Sequence, residues 1–138
     1  MAQIEFTIPG RPATKGSVRF TRGNYAKPDN PRLESWTAIA KFEAREAMRC
    51  QQPTQGPVNV RADFHYARPK CHYRKAGGLR DDTPEFPMSR SDVDKCLRAL
   101  LDAMIGTVFV DDGQVVHAMV CKLWTEELDR TEVQVEFV

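Results

Sequence analysis

The chain has 138 residues, 41% of them hydrophobic and 28% charged, with a formal net charge of +1. That length suits one domain with a core of its own, and that balance excludes an intrinsically disordered chain. No stretch approaches the roughly 18 consecutive apolar residues that a membrane-spanning helix needs. The opening MAQIEFTIPG lacks the basic region and long apolar run of a signal peptide, so a cytosolic location is expected.

The first element, QIEFTI (3–8), alternates polar and apolar side chains, the period of a half-buried strand, and Pro9-Gly10 ends it. SVRFTRGNYAKP (17–28) reads as a short hairpin with Gly23-Asn24 at its tip and Arg19, Arg22 and Lys27 on its arms. Asn30-Pro31 makes a helix opening, with Asn as N-cap and Pro at the first helical position. Leu33, Trp36, Ala40, Ala44 and Ala47 follow at spacings of three or four, which predicts a helix over about 31–49. QQPTQGP breaks it. VNVRADFHYA (58–67) is then a strand, with Val58, Val60, Ala62 and Phe64 on one face.

From Arg68 to Arg90 periodicity dissolves into Pro, Gly, Lys, Arg and Asp, and a mobile basic loop is expected there. Val93, Leu97, Leu100, Leu101 and Met104 form the apolar stripe of a second helix, from Asp92 to Ile105. Ser91 and Asp94 resemble a capping box at its start, and Gly106 ends it. TVFV (107–110) reads as a short strand, Asp111-Asp112-Gly113 as a turn, QVVHAMVCKLW as a longer strand and RTEVQVEFV as the last. The expected class is α+β: a single domain with a mixed, largely antiparallel sheet and two helices.

Charge is unevenly spread. Residues 11–32 carry Arg11, Lys15, Arg19, Arg22, Lys27 and Arg32 against Asp29 alone, and residues 68–80 carry five cations and no acid. Two such blocks suit either a phosphate-binding surface or a solvated face with a loop. Cys50, Cys71, Cys96 and Cys121 form no C-x-x-C pair, so free thiols are expected. Cys71-His72 with His65 nearby lacks a fourth zinc ligand, and His65, His72 and His117 read as bystanders.

SDVDKCLRALLDAMIGTVFVDDG (91–113) holds five aspartates in a largely apolar stretch. A helix of about 14 residues spans roughly 20 Å, and a strand over 107–111 would return about 16 Å. This length matching predicts that Asp111-Asp112 come back beside Asp92 and Asp94. Carboxylates so gathered call for a cation, and an all-oxygen donor set suits Mg²⁺ or Mn²⁺ acting on phosphodiesters. Each acid also has a plainer explanation. Asp92 or Asp94 complements the helix dipole, Asp112-Gly113 is a favoured turn, and Asp102 is a surface residue or an i, i+4 partner of Arg98.

The block SDVDKCLRALLDAMIGTVFVDDGQVV resembles the RusA family of Holliday-junction resolvases, whose members show D-x-D-N, a lysine one turn on, L-D-A and then D-D-x-Q. The opening IPGRPATKGSVRFTRGNYAKPDNPRLESW is similar to the phage branch, and the resemblance covers most of the chain except 68–90. It implies a Mg²⁺-dependent endodeoxyribonuclease, with Mn²⁺ able to substitute, that resolves four-way DNA junctions by paired symmetric nicks as a homodimer. The setting it implies is recombination, repair or phage DNA processing in a bacterial or phage-infected cytosol. By position, Asp92, Asp94 and Asp112 become the metal-binding catalytic carboxylates, with Asp111 as the adjoining candidate ligand. The family lysine falls on Arg98, the family asparagine on Lys95, and Gln114 matches the glutamine. Arg98 stays protonated, so it can stabilise charge but cannot act as a base. Lys15, Arg19, Arg22, Lys27, Arg90 and Lys95 are the expected contacts to DNA phosphates. The competing expectations are a junction- or duplex-binding protein without catalysis, and a structural cation site in an interaction protein.

Overall fold

The computed structural model describes residues 2–16, 18–20, 23, 26–28 and 30–138, with 18–20 and 26–28 described in their backbone alone. Among the described residues, six strands and two α-helices follow in the order β1 (Gln3–Pro9), β2 (Val18–Phe20), β3 (Ala26–Pro28), α1 (Leu33–Met48), β4 (Val58–Ala67), α2 (Val93–Met104), β5 (Val115–Thr125) and β6 (Arg130–Phe137). The main sheet runs β1-β6-β4-β5, and β2 pairs with β3. β6 is antiparallel to both β1 and β4, while β5 lies parallel to β4. The fold is α+β, as its periodicities predict.

One face of the sheet is apolar because the strands alternate. Ile4, Phe6 and Ile8, then Val58, Val60, Ala62, Phe64 and Tyr66, then Val133 and Val135 are all buried. α1 covers them with Leu33, Trp36, Ala40, Ala44 and Met48, and α2 with Cys96, Ala99, Leu100, Ala103 and Met104. α1 begins two residues later than expected. Asn30 nevertheless shapes the entry, its Oδ1 accepting the Arg32 N–H at 2.9 Å.

Three local expectations are corrected. α2 starts after Asp92, which holds the N-cap position without a side-chain cap bond, so Ser91 and Asp94 form no capping box. TVFV is not a strand. Gly106, at φ +81°, reverses the chain, its N–H bonding the Phe109 carbonyl at 2.7 Å while the Val108 N–H bonds that of Met104 at 2.9 Å. Val108 and Phe109 are apolar because this turn plugs the core, both being 0% exposed. Asp102 pairs with Lys15 rather than with Arg98.

Residues 68–90 hold a turn of 3-10 helix at Lys70–His72, and Trp124 ties both ends of the segment. The Arg68 and Arg90 guanidinium groups each lie 5.4 Å from its ring centroid. Its indole N–H donates to the Pro84 carbonyl at 3.1 Å. Beneath, the Tyr66 hydroxyl meets the Cys96 thiol at 3.5 Å, and burial pushes the Cys96 thiol above its ordinary pKa. Burial also pushes Cys121 up to about 11, helped by its hydrogen bond to Asp63. Thiolates are the reactive form. Iodoacetamide at neutral pH is therefore expected to modify exposed Cys50 and Cys71 first, Cys121 slowly, and Cys96 only on unfolding, as peptide mass mapping over time would show.

Candidate active site

β4 and β5 are parallel, so the chain must cross over between them, and α2 is the helix in that crossover. α2 runs back against the strands. Its N-terminal end therefore lies by the last residues of β5, where the Lys122 ammonium reaches the Arg90 carbonyl at 3.4 Å. Its C-terminal end lies by the strand starts, where the Thr54 N–H bonds the Val108 carbonyl at 2.9 Å. Asp92 and Asp94 mark the first end, and Asp111-Asp112 follow the second. Twelve helical residues at about 1.5 Å each, or seven strand residues at about 3.3 Å each from Val115 to Lys122, both put roughly 20 Å between them. The expected convergence of all the aspartates within one chain does not occur. It relied on a return strand at 107–111, and the strand that does return, β5, begins only after Asp112.

Asp92 is well exposed, with 68% of its side chain open to solvent and the Lys95 ammonium 3.5 Å from Oδ2. Asp94 sits in the first turn, exposed, and its carboxylate makes no hydrogen bond or ion pair among the described residues. Both acids stand at the positive end of the helix dipole. A cleft of about 410 Å³ opens here, lined by Arg11, Thr14, Asn30, Pro31, Arg32, Ser91, Asp92 and Lys95. The Arg32 guanidinium braces its wall through the Arg11 carbonyl at 3.0 Å. The basic segment reaches α2 because the Lys15 N–H bonds the Lys95 carbonyl at 3.1 Å, and there Lys15 pairs with Asp102. Arg98 is exposed on the same helix, and Arg90 stacks on Trp124. Of the remaining expected DNA contacts, Arg22 and the side chains of Arg19 and Lys27 lie outside the described residues. Arg11 and Arg32 are the contributors that sequence reasoning did not single out. They stood in a recognised basic block, but only the fold of 11–16 against α2 separates them from the rest.

At the other end, Asp111 caps a 3-10 turn, Asp112–Gln114, its side chain accepting the Gly113 N–H at 3.3 Å. A Cβ on residue 113 would fall 2.8 Å from that carboxylate, which would have to shift and loosen the cap. Gln114 is the clamp. Its Oε1 accepts the Val110 and Asp111 N–H groups, both at 2.9 Å. Its Nε2 donates to the Thr54 and Gly56 carbonyls, both at 2.8 Å. Asp112 is left exposed, its carboxylate without a hydrogen bond or ion pair among the described residues.

Among the described residues a different trio, Asp63, His65 and Glu132, offers three ligand atoms within 4.8 Å of one another. His65, expected to be a bystander, is thus part of a group, on the sheet face away from the helices. Its Nε2 lies 3.3 Å from Glu132 Oε2. Cations already serve these acids: Arg130 Nε stands 3.1 Å from Glu132 and Arg61 Nη2 3.9 Å from Asp63. The Arg130 hydrogen bond holds the Glu132 carboxyl below its ordinary pKa.

The α+β domain thus carries a D-x-D at a helix start beside an arginine-lined cleft, and a clamped D-D-G-Q turn at the helix's far end. The family model described as Endodeoxyribonuclease RusA matches residues 9–136, and the chain belongs to that family, endodeoxyribonucleases of Holliday junctions. It is also 25% identical over 142 aligned residues to the uncharacterized protein YqaN of Bacillus subtilis (strain 168), covering 98% of this chain and 96% of that protein.

Replacing Gln114 with Ala removes four hydrogen bonds from a partly buried turn. Gln114→Ala is expected to lower unfolding free energy by about 1–3 kcal/mol, read from urea denaturation, and to loosen the Asp111-Asp112 turn, read from amide exchange at those residues.

Proposed function

We propose that this protein is a Mg²⁺-dependent endonuclease that resolves four-way DNA junctions by paired symmetric nicks, acting as a homodimer in recombination, repair or phage DNA processing in the cytoplasm. The observation that carries this reading is the pair of exposed carboxylates, Asp92 and Asp94, at a helix start beside a cleft walled by Arg11, Arg32 and Lys95. Because α2 sets the two acid pairs roughly 20 Å apart within a chain, Asp92 and Asp94 act with Asp112, and Asp111 adjoining, only across the two chains of the dimer; the donor set is all oxygen, which fits a hard divalent cation. When bound, such an ion polarises a phosphoryl oxygen and lowers the pKa of a coordinated water.

The chain's own residues do the rest. Arg98, always protonated, stabilises charge on the scissile phosphate. Lys15, Arg19, Arg22, Lys27, Arg90 and Lys95 hold backbone phosphates, giving affinity without sequence reading. Residues 68–90 clamp bound DNA, ordering further as the complex forms. A two-fold junction needs two equivalent cuts, which a C2 dimer supplies.

Incubating the protein with an end-labelled four-way junction tests this. Wild type is expected to nick opposite strands symmetrically with Mg²⁺ and not with chelator. Asp92→Asn, Asp94→Asn and Asp112→Asn are each expected to lose about 100-fold or more in rate while still shifting the junction on a gel. Nicking that survives all three in folded protein would refute the assignment. Binding without nicking under any divalent metal would favour a non-catalytic junction-binding protein.

A further inference from the structure

We infer that Asp63, His65 and Glu132 form a binding site for a divalent transition-metal ion of zinc's class, on the sheet face away from the helices. The site is separate from the acids that flank α2 and independent of the nuclease reading above.

Strand register builds the trio. Asp63 and His65 stand two apart on β4, so both side chains leave the same face of the sheet. Glu132 of β6 is paired directly with Asp63. Both strands are interior to the sheet, with a neighbour on either side, a rigid base for ligands. One ligand atom from each residue lies within 4.8 Å of the other two. His65 Nε2 stands 3.3 Å from Glu132 Oε2. A charge-assisted hydrogen bond closes to about 2.7–2.9 Å. Two ligands each about 2.05 Å from one zinc ion, at a tetrahedral angle, stand about 3.3 Å apart.

Neighbouring groups already orient both acids. Arg130 Nε donates to Glu132 Oε1 at 3.1 Å, which leaves Oε2 to face His65. Arg130 is itself anchored, its Nη1 donating to Thr125 Oγ1 at 3.0 Å. On the other acid, the Cys121 thiol donates to Asp63 Oδ1 at 2.9 Å. Hydrogen bonds of this kind hold ligand carboxylates in place around metals. Arg61, with 58% of its side chain in solvent, stands 3.9 Å from Asp63 Oδ2, a contact long enough to yield to a metal bond.

Exposure suits an ion arriving from solvent. The His65 side chain is 12% exposed, that of Asp63 20% and that of Glu132 46%. A cleft of about 410 Å³, lined in part by Arg61, Asp63, Glu132 and Gln134, opens beside them. Two carboxylates balance the charge of a divalent ion, and the imidazole nitrogen favours Zn²⁺ over Mg²⁺ or Ca²⁺. Three protein ligands leave a fourth position for water. An ion so held joins β4 to β6 at the middle of the sheet, and binding to the folded state stabilises it.

Zinc titration followed by calorimetry tests this in an Asp92→Asn/Asp94→Asn background, which takes the acids at the start of α2 out of the count. One Zn²⁺ should bind per chain, and added Zn²⁺ should raise the Tm. Glu132→Gln and Asp63→Asn, which keep side-chain shape, should each weaken binding by about 10-fold or more and shrink the rise in Tm. In wild type, Zn²⁺ should shift the NMR signals of the His65 imidazole, a readout that needs no variant to fold. Absence of zinc binding in the background chain, or binding that both variants leave unchanged, overturns the site. So does a zinc-induced shift confined to His72 or His117.

Discussion

A parallel pair of strands cannot be joined by a hairpin, and this constraint governs the molecule. β4 and β5 run the same way, so the chain between them must travel the length of the sheet before β5 can start. α2 makes that journey, held by Cys96, Ala99, Leu100, Ala103 and Met104 in the core. Its length therefore fixes how far the acids before it stand from the acids after it. Burial of those five side chains fixes the helix that separates the two acid pairs. Shortening or lengthening the helix by a turn would rotate or withdraw the stripe and break the core before it moved the acids.

Much of the fold is legible in the sequence because its elements obey simple periods. β1, β4 and β6 alternate, α1 and α2 repeat at three and four, and each is found where its pattern predicts. The failure at TVFV is instructive. Four apolar residues between a glycine and two aspartates satisfy the pattern of a buried strand and of a core-filling turn equally well. The decision belongs to Gly106, whose positive φ turns the chain at once, and to Thr54, 54 residues earlier in sequence than Val108, whose amide bonds that residue's carbonyl. Local pattern cannot report a partner so distant. The same blind spot hid Arg11 and Arg32, which became site residues only when 11–16 packed along α2.

For the aspartates, sequence supplied identities and withheld arrangement. Their residue types, and the glutamine that follows, carry the resemblance to the family, and the chain does belong to it. Gln114 then acquires a physical role that position alone could not assign: four backbone groups from two segments converge on one side chain. A turn so tied presents Asp112 outward at a fixed angle, while Asp111 spends its carboxylate on the turn itself. The two neighbours, indistinguishable by spacing, are separated by what each carboxylate is free to do.

Keeping the two acid pairs apart also serves folding. Four carboxylates in one chain and one place would repel, raise one another's pKa and oppose collapse unless a cation were present from the start. Here each pair is accommodated separately, one at a helix's positive pole beside Lys95, the other on a capped turn in open solvent. The folded chain needs no metal to offset its own charge. In the proposed dimer, that repulsion would arise only when two finished chains meet, where a divalent ion could offset it, so assembly and metal binding would be linked events.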